Sequence, residues 1–375
     1  MESAKVAVIG FGNWGKNLVR NFAHLGALGC VCDIDLARLD VVRREHPGVR
    51  ITDQFESVLK DESIKAVVIA SPSDSHFELG RQSLLAGKHV YVEKPLARDT
   101  RHAEELDKLA TERGLILMVG HLLLYHPAVN CLKELIRDGE LGELRFIRSD
   151  RMNFNTGRRD WSVLWDLAPH DISMMSYLLD CEHPEVDRVG GWDTQIDSLV
   201  DVAYLDLVFP IAGARRVPGQ VRNSWIDPQK LVRLTVNGSL KTAVLNDTAS
   251  ENKLALHSLT KSGGMVVEYP SYSDAEPLQL ECEHFLNCVV TGQRPRTDAN
   301  NAYQVVRVLS EVEDRLARRP QVKSSNLSIP APTTAAQIAA AAQASQTGNG
   351  NGNGTVPAQP AGIVAPTTPI IQVVQ

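Results

Sequence analysis

Two hydrophobic rhythms divide the chain. Through the first third, short continuous apolar runs alternate with segments whose apolar positions recur every three or four residues. Residues 6–9, 28–33, 49–52, 65–70, 88–92 and 115–119 read as strands. Helices are predicted over 17–25, where Leu18, Phe22 and Leu25 share one stripe, and over 36–46, 75–86 and 100–113. Continuous apolar strands separated by helices require a parallel sheet covered on both faces. Residues 1–120 are therefore expected to form an α/β doubly wound nucleotide-binding domain.

Beyond residue 120 the rhythm changes. A helix is predicted at 127–137, a strand at 143–151 and a helix at 164–179, followed by mostly strands from 185 to 269. Val232, Leu234 and Val236 alternate with Arg233 and Thr235, the period of a half-buried strand. Helices return at 276–291 and 298–318, the last with Val305, Leu309, Val312 and Leu316 as its stripe. Residues 121–322 are expected to form a second, α+β domain with a mainly antiparallel sheet. Helices would cover one face of that sheet and a partner subunit the other. No charged residue follows Lys323. The Ala-rich and Asn-Gly-repeat segment 323–375 is expected to be a disordered tail.

Composition narrows the class. Of 375 residues, 43% are hydrophobic and 22% charged, which fits an ordinary globular protein of two domains. The net charge of −6 argues against a nucleic-acid partner, which calls for a basic face. Six cysteines are few for this length, and Cys30 and Cys32 alternate along one strand, so a reduced, cytoplasmic setting is expected. No run of ~20 apolar residues suggests a membrane span, and no export signal is expected before the first strand.

Chemistry enters at Gly10-Phe11-Gly12-Asn13-Trp14-Gly15, a GxGxxG run between a predicted strand and a predicted helix. There Gly10 permits the tight turn, Gly12 the approach of a pyrophosphate and Gly15 the close packing of helix on strand. Helix-start N–H groups face the phosphates. The second strand ends in Asp33, close to the ~20-residue offset at which an acid reads the adenosine ribose. A carboxylate there repels a 2′-phosphate, which favours NAD over NADP; Arg38 is the feature that could favour NADP. Asp35 is assigned to capping the next helix.

Four further stretches fall at the expected ligand edge of the sheet. Ser71 and Pro72 form a stiff loop ahead of His76, which either reaches a ribose or diphosphate or simply starts a helix. Glu93-Lys94-Pro95 follows the fifth strand. The residue before proline is restricted, which fixes the Lys94 ammonium for stabilising an alkoxide or shuttling a proton. In Trp165-Asp166-Leu167-Ala168-Pro169-His170, the acid and the imidazole are four apart and share a helix face. Pro169 is expected in the first turn, which puts Asp166 and His170 at an exposed helix entrance. His170 is the natural general base. The loop 153–160 offers Asn153, Arg158 and Arg159, and the arginines either clamp a carboxylate or phosphate or remain a solvated pair. No zinc-type spacing occurs, and no metal is expected.

Together these stretches resemble the Gfo/Idh/MocA oxidoreductase family. The resemblance rests on Gly10/Gly12/Gly15, Glu93-Lys94-Pro95, and Asp166 with His170, and covers residues 4–320. It implies that Lys94, Asp166 and His170 meet at the nicotinamide of a bound NAD, and that the open sheet forms a homodimer or homotetramer. Three segments (10–22, 120–127 and 164–173) look most like the bacterial dehydrogenases that oxidise the 3-hydroxyl of UDP-N-acetyl-glucosaminuronic acid for surface polysaccharide. That implies a nucleotide-sugar substrate. The alternatives are a relative acting on a free sugar or inositol, and a non-catalytic NAD-binding regulator.

Overall fold

In the computed structural model, residues 4–154, 161–194, 199–213 and 215–318 are described. They lie in one compact unit spanning 1–321, and the expected tail falls outside the described residues. The first rhythm gives β1 (Lys5–Ile9), α1 (Gly15–His24), β2 (Leu28–Cys32), α2 (Leu36–Glu45), β3 (Arg50–Thr52), α3 (Phe55–Leu59), β4 (Ile64–Ile69), α4 (His76–Leu85), β5 (His89–Glu93), α5 (Thr100–Arg113) and β6 (Leu117–Gly120). The six strands run parallel in the order β3-β2-β1-β4-β5-β6. The order reverses between β1 and β4, where the first crossover goes one way and the next the other. That point opens the ligand crevice of a doubly wound sheet.

Local chemistry accounts for several boundaries. The Asp35 carboxylate accepts from the Ala37 N–H and starts α2, as its sequence position predicts. Asp99 caps α5 in the same way, and Gly114 ends it in the left-handed conformation that glycine adopts freely. The five-residue α3 was not predicted, being too short to show a helical period.

The second rhythm gives α6 (Pro127–Arg137), β7 (Leu144–Phe154), α7 (Val163–Leu178), β8 (Glu185–Trp192), β9 (Val202–Ile211), β10 (Arg215–Ser224), β11 (Ile226–Gly238), β12 (Thr242–Asn246), β13 (Leu254–Leu259), β14 (Met265–Glu268), α8 (Pro277–Thr291) and α9 (Ala299–Ala317). The eight strands form one sheet in the order β14-β13-β12-β11-β7-β10-β9-β8. Only the β7–β10 pair is parallel. Helices α6, α7 and α9 share its buried apolar cluster. Among the described residues, no helix is long and apolar enough to cross a membrane.

Helix α8 returns to the first sheet. Its Leu278, Cys282, Phe285 and Cys288 sit in the same buried cluster as β1 and α1. Phe285 meets Phe22 edge-to-face with ring centroids 6.4 Å apart, and Arg20 pairs with Glu276 at the start of α8 at 2.5 Å.

One buried charge fixes α7 on the large sheet. Asp171 is fully buried. Its carboxylate accepts from Ser149 Oγ at 2.7 Å, Arg151 Nε at 3.1 Å and Asn223 Nδ2 at 2.9 Å. Ser149 and Arg151 lie on β7 and Asn223 on β10, so one anion ties the helix to both strands of the parallel pair. Removing one partner of such a pair strands the other. Asp171→Ala is expected to destabilise the fold by about 3–5 kcal/mol, read as a lowered urea midpoint, and Asp171→Asn by less.

Candidate functional site

The glycine loop has the geometry a dinucleotide needs. Gly10 sits at φ +96°, and a Cβ there would come within 2.8 Å of the Ala70 carbonyl oxygen. A Cβ on Gly15 would lie 2.0 Å from the Gly10 carbonyl oxygen, so only glycine lets α1 pack this close. A Cβ on Gly12 would meet nothing within 4 Å, which leaves that backbone open to an approaching phosphate. Asp33 is 5% exposed; its carboxylate accepts from the Phe11 N–H at 2.6 Å and the Asp35 N–H at 2.8 Å. The second strand's acid is thereby locked beside the glycine loop, with Arg38 Nη1 3.5 Å away. The residues present fit an NAD adenosine and diphosphate.

Asn13 and Trp14 complete the loop. The Trp14 indole N–H donates to Glu93 Oε1 at 2.5 Å, and the Tyr91 hydroxyl donates to the same oxygen at 3.3 Å. The tryptophan therefore ties the phosphate loop to the end of β5. Glu93 keeps some exposure toward the cleft but is densely surrounded by protein. Burial pushes its carboxyl up to about 7, against the opposing pull of the Trp14 hydrogen bond.

His76 is buried, with Nδ1 2.8 Å from the Pro95 carbonyl oxygen and Nε2 2.9 Å from that of Ser71. Both ring nitrogens thus face backbone carbonyls, of which the neutral ring donates to one at a time. The histidine clips the Ser71-Pro72 loop to the loop after Lys94, while the Ser71 hydroxyl bonds that of Ser75 at 2.6 Å. Desolvation lowers the His76 pKa; the two carbonyls pull the other way.

Lys94 stands at the C-terminal end of β5, before a cis peptide bond to Pro95. Its ammonium donates to the backbone carbonyl of Asp166 at 2.9 Å and lies 3.7 Å from the Asp166 carboxylate. The two side chains are 19% and 15% exposed, which is enough for a ligand to reach them while most water is displaced. The sequence reading puts Pro169 in the first turn of its helix and Asp166 and His170 at an exposed entrance. The helix instead begins at Val163, so Pro169 lies inside it, a turn later than expected, and Asp166 is largely covered. Proline costs a helix one N–H bond there, and the buried Asp171 anchor holds the segment in place. The spacing argument survives the correction: Asp166 and His170 remain one turn apart on α7.

His170 is pushed well below the ordinary imidazole value, first by burial, then by the charges of Lys94 and Arg151 and by His121. Lys94 and His170 therefore lie within electrostatic reach of each other. The entrance to α7 is tied to the loop after Pro95 by the Arg98 guanidinium, 4.8 Å above the Trp161 ring.

Asn153 is half-buried on β7, and its Oδ1 has no hydrogen-bond partner among the described residues. Arg158 and Arg159 lie outside the described residues. Sequence reasoning missed His121, which follows β6 and feels the Lys94 charge. It also missed Arg151, whose charge reaches His170 from the large sheet. The β5–β6 pairing would have found the first; nothing short of the sheet register would have found the second.

Comparison with known proteins agrees with this geometry. Residues 4–121 match the oxidoreductase family with an NAD-binding Rossmann fold known as Gfo/Idh/MocA, and residues 129–244 match the Gfo/Idh/MocA C-terminal domain. The chain is 30% identical over 304 residues to the UDP-N-acetylglucosamine 3-dehydrogenase of Acidithiobacillus ferrooxidans, covering 77% of this chain and 90% of that protein. It is 26% identical to the NAD-dependent scyllo-inositol 2-dehydrogenase of Bacillus subtilis, over 78% of this chain and 88% of that one. A solved structure of the Acidithiobacillus enzyme superposes with a TM-score of 0.73 at 24% identity, over 84% of this chain and 98% of that one, a likeness of fold. A glycine loop locked to Asp33, a lysine clamped on α7 and these matches lead to one conclusion: the chain belongs to the Gfo/Idh/MocA family of NAD-binding oxidoreductases.

Proposed function

We propose that this protein oxidises the C3 hydroxyl of a UDP-linked N-acetylglucosamine sugar with NAD, its sequence favouring the 6-carboxylate form. The observation that carries the reading is the Lys94 ammonium held 2.9 Å from the Asp166 carbonyl, at the cofactor edge of the sheet and within electrostatic reach of His170. The similarity to a UDP-N-acetylglucosamine 3-dehydrogenase supports the substrate class.

Bound NAD supplies the acceptor for the hydride that leaves C3. His170, kept neutral by burial and by nearby positive charge, takes the hydroxyl proton. A neutral imidazole of depressed pKa is a weak base, so the hydroxyl must be acidified as it reacts. Lys94 does this: an ammonium in a largely desolvated cleft stabilises the developing alkoxide and then the ketone oxygen. The Asp166 carbonyl and carboxylate hold the ammonium in place. Arg158 or Arg159 reads the uronate or diphosphate, and Asn153 contributes a polar atom to the substrate. The Asp33 carboxylate accepts from the adenosine ribose hydroxyls. The outer face of the eight-stranded sheet makes the homo-oligomer contact.

The scyllo-inositol 2-dehydrogenase likeness supports a second reading, a free polyol substrate. A thermal-shift comparison with NAD present separates the two. UDP-N-acetyl-glucosaminuronate and UDP-N-acetylglucosamine are expected to raise the melting temperature, the uronate more, and scyllo-inositol to leave it unchanged; a response to the polyol alone reverses the assignment. Lys94→Ala is expected to lower kcat by about 10²–10⁴-fold with NAD affinity, read by calorimetry, unchanged. Full turnover in that variant would remove the lysine from the mechanism. Asp33→Ser should weaken NAD binding and narrow the gap between the NAD and NADP dissociation constants, because the repulsion of a 2′-phosphate goes with the carboxylate.

A further inference from the structure

The reaction outlined above leaves one well-placed histidine without a task. Strands β5 and β6 are parallel neighbours with Glu93 opposite Gly120. Lys94 and His121 directly follow these two strand ends, so both leave the sheet at its ligand edge, and the Lys94 charge reaches the His121 ring. His121 is 2% exposed, and its Nδ1 lies 2.8 Å from Oδ1 of Asn301 on α9. A carbonyl oxygen only accepts, so Nδ1 carries the ring proton and Nε2 is left with its lone pair. Asn301 sits in the first turn of α9, where its backbone N–H donates to the capping Asp298 carboxylate at 2.8 Å.

Among the described residues, Lys94 at the end of β5 and His170 on α7 interact electrostatically with this ring. Burial first, then the Lys94 charge, holds the imidazole down at about 4, so it stays neutral through the working range. A neutral ring with a fixed tautomer offers what an ammonium cannot, a hydrogen-bond acceptor. Lys94 supplies donors only, and with His170 taking the reacting proton the cleft needs a separate acceptor for a second hydroxyl.

We propose that His121 is a substrate-specificity residue: its Nε2 accepts a hydrogen bond from the hydroxyl vicinal to the one oxidised, and Asn301 is the positioning residue that fixes the tautomer. This rests on the reading of the site as an oxidoreductase of a ring with neighbouring hydroxyls, and it holds equally for a nucleotide sugar and for an inositol.

Two substitutions isolate the acceptor. His121→Asn keeps a donor toward Asn301 and loses the group at Nε2; His121→Gln places an amide oxygen near Nε2. His121→Asn is expected to raise KM by about ten-fold, the scale of one lost neutral hydrogen bond, with a smaller change in kcat and unchanged NAD affinity. His121→Gln should recover most of the loss. A substrate analogue deoxygenated at the vicinal carbon should cost the wild type a similar factor and His121→Asn nothing. An unchanged KM in His121→Asn, or no rescue by glutamine, overturns the proposal.

The second arm needs no substrate. Nitrogen-15 histidine spectra of the wild-type protein with NAD should show His121 as the Nδ1–H tautomer, unprotonated at about pH 6, and Asn301→Leu should release it to a mixture. An Nε2–H tautomer, or titration near the ordinary 6.5, overturns the proposal whatever the variants do. If the spectra agree but neither a UDP-sugar nor a polyol is turned over by the wild type, it is the parent reading of the activity that fails.

Discussion

The site depends on one hydrogen bond between the two sheets' elements. Lys94, at the end of a buried parallel strand, donates to the carbonyl of Asp166 in the first turn of α7, 2.9 Å away. Neither partner could hold this geometry alone. A lysine side chain has many rotamers, and fixing it costs conformational entropy of up to about 2 kcal/mol. A neighbouring carboxylate 3.7 Å away adds Coulombic attraction where water is scarce. The helix that presents both acceptors is in turn held by the buried Asp171 carboxylate to β7 and β10. The chain of support runs from large sheet to helix to ammonium, and the reacting cleft inherits the stiffness of the sheet.

That ammonium also governs its neighbours. His170 and His121 both feel Lys94, and both are driven toward the neutral form by burial before any charge acts. The result is a division of labour. One group carries positive charge toward developing alkoxide, and the imidazoles beside it keep lone pairs available at neutral pH. Were the histidines exposed, they would be half-protonated near their ordinary value of 6.5 and would compete with the lysine as cations. Arg151 adds positive potential from the sheet, but its own charge is balanced by Asp171, so it biases His170 without presenting an unpaired cation to the cleft.

Much of this was legible in the sequence, and the reasons are specific. The strand–glycine–helix arrangement at residues 5–24 depends on local sterics, which the glycines declare outright. The Asp35 cap and the 100–113 helix are likewise local. Spacing of four along one helix put Asp166 and His170 on one face, and a strand end put Lys94 at the ligand edge. What the sequence could not display was contact across the fold. Pro169 was read as a first-turn residue because local rules favour that position, whereas the tertiary anchor at Asp171 tolerates it deeper in α7. For His76 the sequence left a ligand contact and a plain helix start both open, because nothing local shows that its two nitrogens face the carbonyls of Ser71 and Pro95. His121 lies in the 120–127 segment that carries the resemblance, but its place near Lys94 shows only when β6 is laid beside β5.

The same cross-fold contacts explain why the cofactor loop and the reacting lysine act as a unit. Trp14 lies between the glycines of the phosphate loop, and its indole N–H reaches Glu93, the residue that precedes Lys94. Burial raises the Glu93 carboxyl to about 7, so near neutrality its charge is only partly present, and the Trp14 donor, then the Lys94 charge and the Tyr91 donor, favour the charged form there. Loss of the indole N–H would therefore favour the neutral acid, remove a negative charge beside Lys94 and loosen the glycine loop at once. A tryptophan in that position is then more than a spacer between glycines: it couples the place where a diphosphate would lie to the electrostatics of the ammonium, through a single shared oxygen.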